Sequence, residues 1–102
     1  MDTLTPSDTA DRLAGTGFTH EGDMLRGSYE TGDFATAAAI VAKVSDLAEA
    51  MNHHPDIRLS YGKVEFELTS HDAGGVTERD LDLATRIQAV ADEFGATAEQ
   101  DQ

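Results

Sequence analysis

Three of the four histidines, His53, His54 and His71, fall inside one nineteen-residue window. An imidazole titrates near pH 6.5, so a group of them can donate and accept protons at neutral pH. Two carboxylates are spaced to serve them. Glu49 stands four residues before His53, which on a helix places both on one face within hydrogen-bonding reach. Asp80 follows His71 by nine residues, in the first turn of an expected helix, where it either caps that helix or orients His71. Pro55 forces an extended exit behind the histidine pair, so His54 must point away from His53. The residues alone leave three readings open. One is an acid–base pocket. In another, His53 caps a helix C-terminus and His54 is a surface residue before a proline. The third is a zinc site, since three histidines can hold the ion. Adjacent histidines at a helix end rarely aim at one ion, however, and the His-x-x-x-His spacing is absent.

Other polar features carry less. His20, beside Glu21 in a short strand, reads as a surface residue, and Gly74-Gly75 is a loop signal with no phosphate-cradling pattern around it. Neither Ser45 nor Ser60 sits in a nucleophile elbow. The absence of cysteine excludes a thiolate nucleophile, a disulfide framework and Cys-ligated zinc. At 102 residues, with 39% hydrophobic and 26% charged, the chain is one small domain with a modest core. Its 20 acidic residues against 7 basic ones give a net charge of −13, which argues against nucleic acid or an anionic membrane as partner. No apolar run approaches the roughly 20 residues that cross a bilayer. The N-terminal sequence has no basic region followed by an apolar stretch, so a cytoplasmic domain is expected. Lys43 and Lys63 are the only lysines. Such a surface reads as that of a protein from a salt-loaded cytoplasm, where concentrated salt screens self-repulsion; the alternative is an ordinary acidic protein.

The elements that must position these residues follow from periodicity. A short helix runs from a cap at Ser7 or Asp8 to about Ala14, stopped by Gly15 and Gly17. Phe18–Glu21 and Met24–Glu30 flank Gly22-Asp23, a two-residue hairpin loop. Phe34, Ala37, Ala38, Val41, Val44, Ala48 and Met51 mark a long helix, widened by Ile40 and Leu47, capped by Asp33 and ending near Asn52 or His53. Ile57–Ser60 and Val64–Ser70 are strands turning at Tyr61-Gly62, the second alternating apolar Val64, Phe66 and Leu68 with polar neighbours. Thr77 with Asp80 forms a capping box for a last helix whose stripe is Leu83, Ala84, Ile87, Val90 and Phe94. The order α-β-β-α-β-β-α predicts an α+β domain, a four-stranded antiparallel sheet with helices on one face. The core is expected over about residues 8–94, with 1–6 and 95–102 frayed.

Taken together, Glu49, then His53-His54-Pro55, then Tyr61, His71 and Asp80 at these intervals resemble the signature of the pterin-4a-carbinolamine dehydratases. Tyr61-Gly62-Lys63-Val64, Leu68-Thr69-Ser70-His71-Asp72 and Gly75-Val76-Thr77-Glu78-Arg79-Asp80 are similar to that family's hairpin, histidine loop and last-helix start. The resemblance implies a lyase that removes water from a 4a-hydroxytetrahydropterin to give the quinonoid dihydropterin, regenerating the cofactor of aromatic amino-acid hydroxylases. It implies no metal and no cofactor. It implies His53 and His71 as the acid–base pair, His54, Pro55 and Tyr61 as substrate-binding residues, and Glu49 and Asp80 as orienting carboxylates. The partners implied are a pterin and further copies of the chain, as dimer or tetramer, without nucleic acid or membrane. Asn52 departs from a frequent Asp, Gly62 from a frequent Asn, and Ile57-Arg58 from an aromatic pair. A non-catalytic binding or assembly module on the same scaffold is the alternative.

Overall fold

The computed structural model describes residues 2–99. Helix α1 (Pro6–Leu13) is followed by strands β1 (Phe18–Glu21) and β2 (Met24–Glu30), helix α2 (Phe34–Met51), strands β3 (Asp56–Ser60) and β4 (Lys63–Leu68), helix α3 (Glu78–Glu93) and a two-residue strand β5 (Thr97–Ala98). The α+β class and the element order agree with the sequence. Strand count does not: β1-β2-β4-β3 form an antiparallel sheet, and β5 adds to β2 as a fifth strand.

That fifth strand comes from the tail expected to fray. Gly95, at φ 73°, turns the chain back after α3, and the Glu99 N–H then donates to the Ser28 carbonyl at 2.8 Å. The Glu99 carboxylate also meets Lys63 at 3.1 Å, which holds it below its ordinary range and raises the lysine. The amino end is likewise tied down. Leu4 N–H donates to the Val76 carbonyl, and Thr5, rather than Ser7 or Asp8, caps α1 in a reciprocal box with Asp8. Pro6 fits the first helical position because it has no N–H to leave unpaired. Met1 and residues 100–102 lie outside the described residues.

Strand register sets the two faces. Phe18, Gly27, Phe66 and Ile57 share one row and face the helices. Leu25, Tyr29, Val64 and Leu68 join them in a core completed by Ile40 and Val44 of α2 and by Leu81, Leu83, Ala84 and Ile87 of α3. The rings of Phe18, Tyr29 and Phe66 sit 6.0–6.3 Å apart. Gly27 makes room for them, because a Cβ there would lie 2.6 Å from the Phe18 ring. The opposite face is polar and ion-paired, as in Arg26–Glu67 at 2.9 Å. Phe34 and Phe94, expected within the apolar stripes, are 49% and 38% exposed because each sits at a helix terminus that overhangs the core.

Candidate active site

Asn52 governs how α2 delivers its histidines. It ends the helix in the left-handed conformation at φ 52°, which Asn tolerates better than most residues, and the His53 N–H donates back to the Ala48 carbonyl at 3.0 Å. The reversal takes His53 off the helix face that bears Glu49. Glu49 consequently hydrogen-bonds His54, not His53 as the i,i+4 spacing predicted, and both members of that pair are exposed.

His53 instead turns inward. It is 8% exposed, and its Nε2 lies 2.6 Å from Oδ1 of Asp80, which is fully buried. Asp80 Oδ2 accepts from Ser70 Oγ at 2.8 Å and from the Thr77 N–H at 2.9 Å. Ser70 and Thr77 hydroxyls are 2.9 Å apart. Since the Ser70 proton goes to the carboxylate, Thr77 donates to Ser70. Every oxygen of the buried carboxylate is thus engaged, the condition under which a charge is tolerated in a core. A carboxylate only accepts, so His53 Nε2 carries a hydrogen, and in the neutral ring the lone pair is then on Nδ1. Among the described residues Nδ1 has no hydrogen-bond partner. The pairing fixes the ring orientation and leaves Nδ1 as the atom that can take a proton whenever the imidazole is neutral.

Asp80 serves both purposes weighed from sequence, with one difference. It caps α3 in the expected box with Thr77, and it orients a histidine, but that histidine is His53 rather than His71. His71 lies one residue beyond Ser70, in a loop closed by the Ser70–Gly75 bridge, and is exposed. Its neighbour Asp72 pairs with Arg79 at 2.5 Å, which lowers the Asp72 carboxyl. The carboxyl ends of α2 and β4 and the amino end of α3 therefore gather His53, His54, Asp80, Ser70 and His71 at one end of the sheet. Half-buried Pro55 leads from that end into β3. Tyr61 is not there: it tips the β3–β4 hairpin at the far end and is 78% exposed.

Ser70 is the residue that sequence reasoning missed. Its only signal was position, one residue before His71, and a buried hydroxyl is invisible to hydrophobic periodicity. Two concavities lie elsewhere. One of about 340 Å³ covers the polar sheet face around Arg26, Arg58, Glu65 and Glu67, and one of about 490 Å³ separates α1 from β1. Neither is lined by the His53–Asp80 group. No cluster of three His, Asp or Glu side chains among the described residues is arranged to hold a metal ion. No helix among them is long and apolar enough to cross a membrane.

Comparison with known proteins places this geometry in a class. A sequence model described as pterin 4 alpha carbinolamine dehydratase matches residues 2–90. A relative from Roseiflexus sp. (strain RS-1), provisionally named pterin-4-alpha-carbinolamine dehydratase, is 43% identical over 88 residues, 85% of this chain and 95% of that protein. One of the same provisional name from Haloarcula marismortui is 37% identical over 91 residues, 89% of this chain and 98% of that protein. The crystal structure of a transcriptional coactivator/pterin dehydratase from Brucella melitensis superposes with a TM-score of 0.81 at 30% identity, covering 88% of this chain and 99% of that one. A pterin dehydratase-like protein identified as a RuBisCO assembly factor in the alpha-carboxysome shares the fold, with a TM-score of 0.63 at 23% identity over 72% of this chain and 88% of that one. The chain belongs to the pterin-4-alpha-carbinolamine dehydratase family.

Proposed function

We propose that the chain dehydrates a 4a-hydroxytetrahydropterin to the quinonoid dihydropterin and water, in tetrahydropterin recycling, as a cytoplasmic homo-oligomer. The observation that supports this reading is the buried His53–Asp80 pair, which turns Nδ1 of His53 away from the carboxylate, at the end of the sheet where the exposed His71 follows Ser70. Loss of the 4a-hydroxyl as water needs a proton delivered to the departing oxygen and a proton removed from N5. His53, neutral and held by Asp80, takes the N5 proton. The Asp80 carboxylate faces the positive charge that then develops on the ring. His71, protonated from solvent, supplies the proton to the leaving hydroxyl. The double bond forms between N5 and C4a as the C4a–O bond breaks, so atoms and electrons balance without an oxidant. His54, steadied by Glu49, and Pro55 bind the pterin.

The alternative, a binding or assembly module, has a fold-level relative but no use for a proton-transfer pair. His71→Ala separates the two readings. The dehydratase reading expects turnover lower by about 10²–10⁴ in a folded protein. Wild-type turnover in that variant removes the acid role. His54→Ala should chiefly raise KM, and a change confined to kcat would exchange the roles of His54 and His71.

A further inference from the structure

The first turn of α3 holds a residue that local stability does not explain. Thr77 caps the helix, and Glu78, Arg79 and Asp80 follow it. The two acids suit the partial positive charge of a helix amino end, whereas a guanidinium there opposes it. Arg79 Nε is moreover buried with no hydrogen-bond partner among the described residues, a donor stripped of water and left unpaired. What Arg79 does make is one bond, from Nη2 to Oδ1 of Asp72 at 2.5 Å. The Asp72 side chain is 69% exposed, and ion pairs that wet contribute little to folding. A side chain kept against these local rules points to a task at the site beside it.

The bond leads to the loop that carries His71. Backbone closes that loop at its base: Ser70 and Gly75 form a bridge, and the Ala73 and Gly74 N–H groups donate to the Ser70 carbonyl at 3.0 and 2.9 Å. From His71 to Gly74, Asp72 alone among the described residues has a side chain bonded to another element. The exposed His71 therefore takes its place from its neighbour. Arg79 is also the residue before Asp80, whose carboxylate holds His53 at 2.6 Å. One helical turn thus reaches both histidines: Asp80 holds His53 directly, and Arg79 reaches His71 through Asp72. Both attachments leave the turn that the Thr77–Asp80 capping box fixes, so they set one histidine relative to the other. Two proton transfers on one bound molecule depend on that spacing, and a displacement of about 1 Å can lower a rate about 10²-fold.

We propose that Arg79 is a positioning residue for the dehydration, holding Asp72 so that His71 stays at working distance from His53. The catalytic part rests on the dehydratase reading, and hydrogen exchange tests the clasp without it. Arg79→Gln, Asp72→Asn, their combination and Arg79→Lys are compared in molar KCl, with circular dichroism to verify folding. Arg79→Gln should lower kcat about 10–100-fold and change KM less than about threefold. Asp72→Asn should match it, and the combined variant should lose no more than either alone, because all three break one bond. Arg79→Lys should keep most of the rate, since a single contact needs no guanidinium fork and lysine has no Nε to strand. In Arg79→Gln the Ala73 and Gly74 amides should exchange with solvent about tenfold faster, while those of the sheet stay unchanged. Wild-type kcat in Arg79→Gln or Asp72→Asn, beside an active wild type, overturns the proposal, as do losses that multiply in the combined variant. A loss confined to KM makes Arg79 a binding residue instead. If Arg79→Gln does not fold, Asp72→Asn breaks the same bond from an exposed loop and carries the test. A wild type that dehydrates nothing, with loop amides that still loosen in the variants, overturns the dehydratase reading and leaves the clasp standing. Loop amides unmoved in both variants remove the clasp.

Discussion

Replacing Asp80 by Asn changes one oxygen to an amide and should separate stability from activity. Asp80 is fully buried and accepts from His53 Nε2, Ser70 Oγ and the Thr77 N–H. Asn can turn its oxygen toward Ser70 and Thr77, keeping both donors satisfied and the α3 cap intact. What it loses is one charge-assisted hydrogen bond, a cost of about 1–2 kcal/mol, or a fall in Tm of about 5–15 °C for a domain of this size. Its amide NH₂ then faces His53 Nε2, which must accept. The ring hydrogen moves to Nδ1, and the lone pair is withdrawn from the substrate side. Turnover should drop by about 10²–10⁴, out of proportion to the stability lost. Asp80→Ala would differ, since it strands all three buried donors, His53 Nε2, Ser70 Oγ and the Thr77 N–H, at about 1–3 kcal/mol each. The assay is the dehydration rate at 25 °C, paired with ¹⁵N chemical shifts of His53 to read the tautomer. Asp80→Asn with a rate within threefold of wild type, or with His53 still protonated at Nε2, would refute the tautomer argument.

Three further outcomes follow from the same geometry. Ser70→Ala should lower kcat through Asp80 while leaving KM nearly unchanged, with Ser70→Thr restoring it; a loss in KM alone would make Ser70 a binding residue. Asp33 caps α2 by accepting the Thr36 N–H at 2.7 Å, and that bond holds its carboxyl below the ordinary 3.8. A folded pKa below the unfolded one adds stability that is present above about pH 4 and lost as pH falls through the folded value. Urea midpoints of wild type and Asp33→Asn should therefore differ at pH 7 and converge as pH falls below 3.8 through the folded value, and a pH-independent difference would exclude the titration. Finally, a net charge of −13 repels itself in dilute buffer, so Tm should rise with KCl up to molar concentration, and a flat profile rejects the salt-adapted reading.

Local rules in the sequence located most of the scaffold. The Gly22-Asp23 hairpin, the Asp33 cap, the stop before Pro55 and the Thr77–Asp80 box each depend on a few neighbouring residues, and each stands where the sequence placed it. Long-range pairings were less legible. β5 has two residues and no periodicity, and it exists because Gly95 returns the chain to the free flank of β2. The site failed in an instructive way. Helical spacing assigned Glu49 to His53, but one left-handed residue at Asn52 redirected the chain and gave Glu49 to His54. Asp80 was recognised as an orienting carboxylate, and its target was mistaken because nine residues to His71 are nearer in sequence than twenty-seven to His53. Ser70 gave no sequence signal, since its role is defined only once β4 and α3 meet.

The most direct test of the central claim is the rate of 4a-hydroxytetrahydropterin dehydration in molar KCl by wild type and by His53→Ala, both shown to be folded. The account predicts acceleration by wild type that falls by about 10²–10⁴ in the variant. Equal rates from the two proteins would contradict it, as would a folded wild type that accelerates nothing.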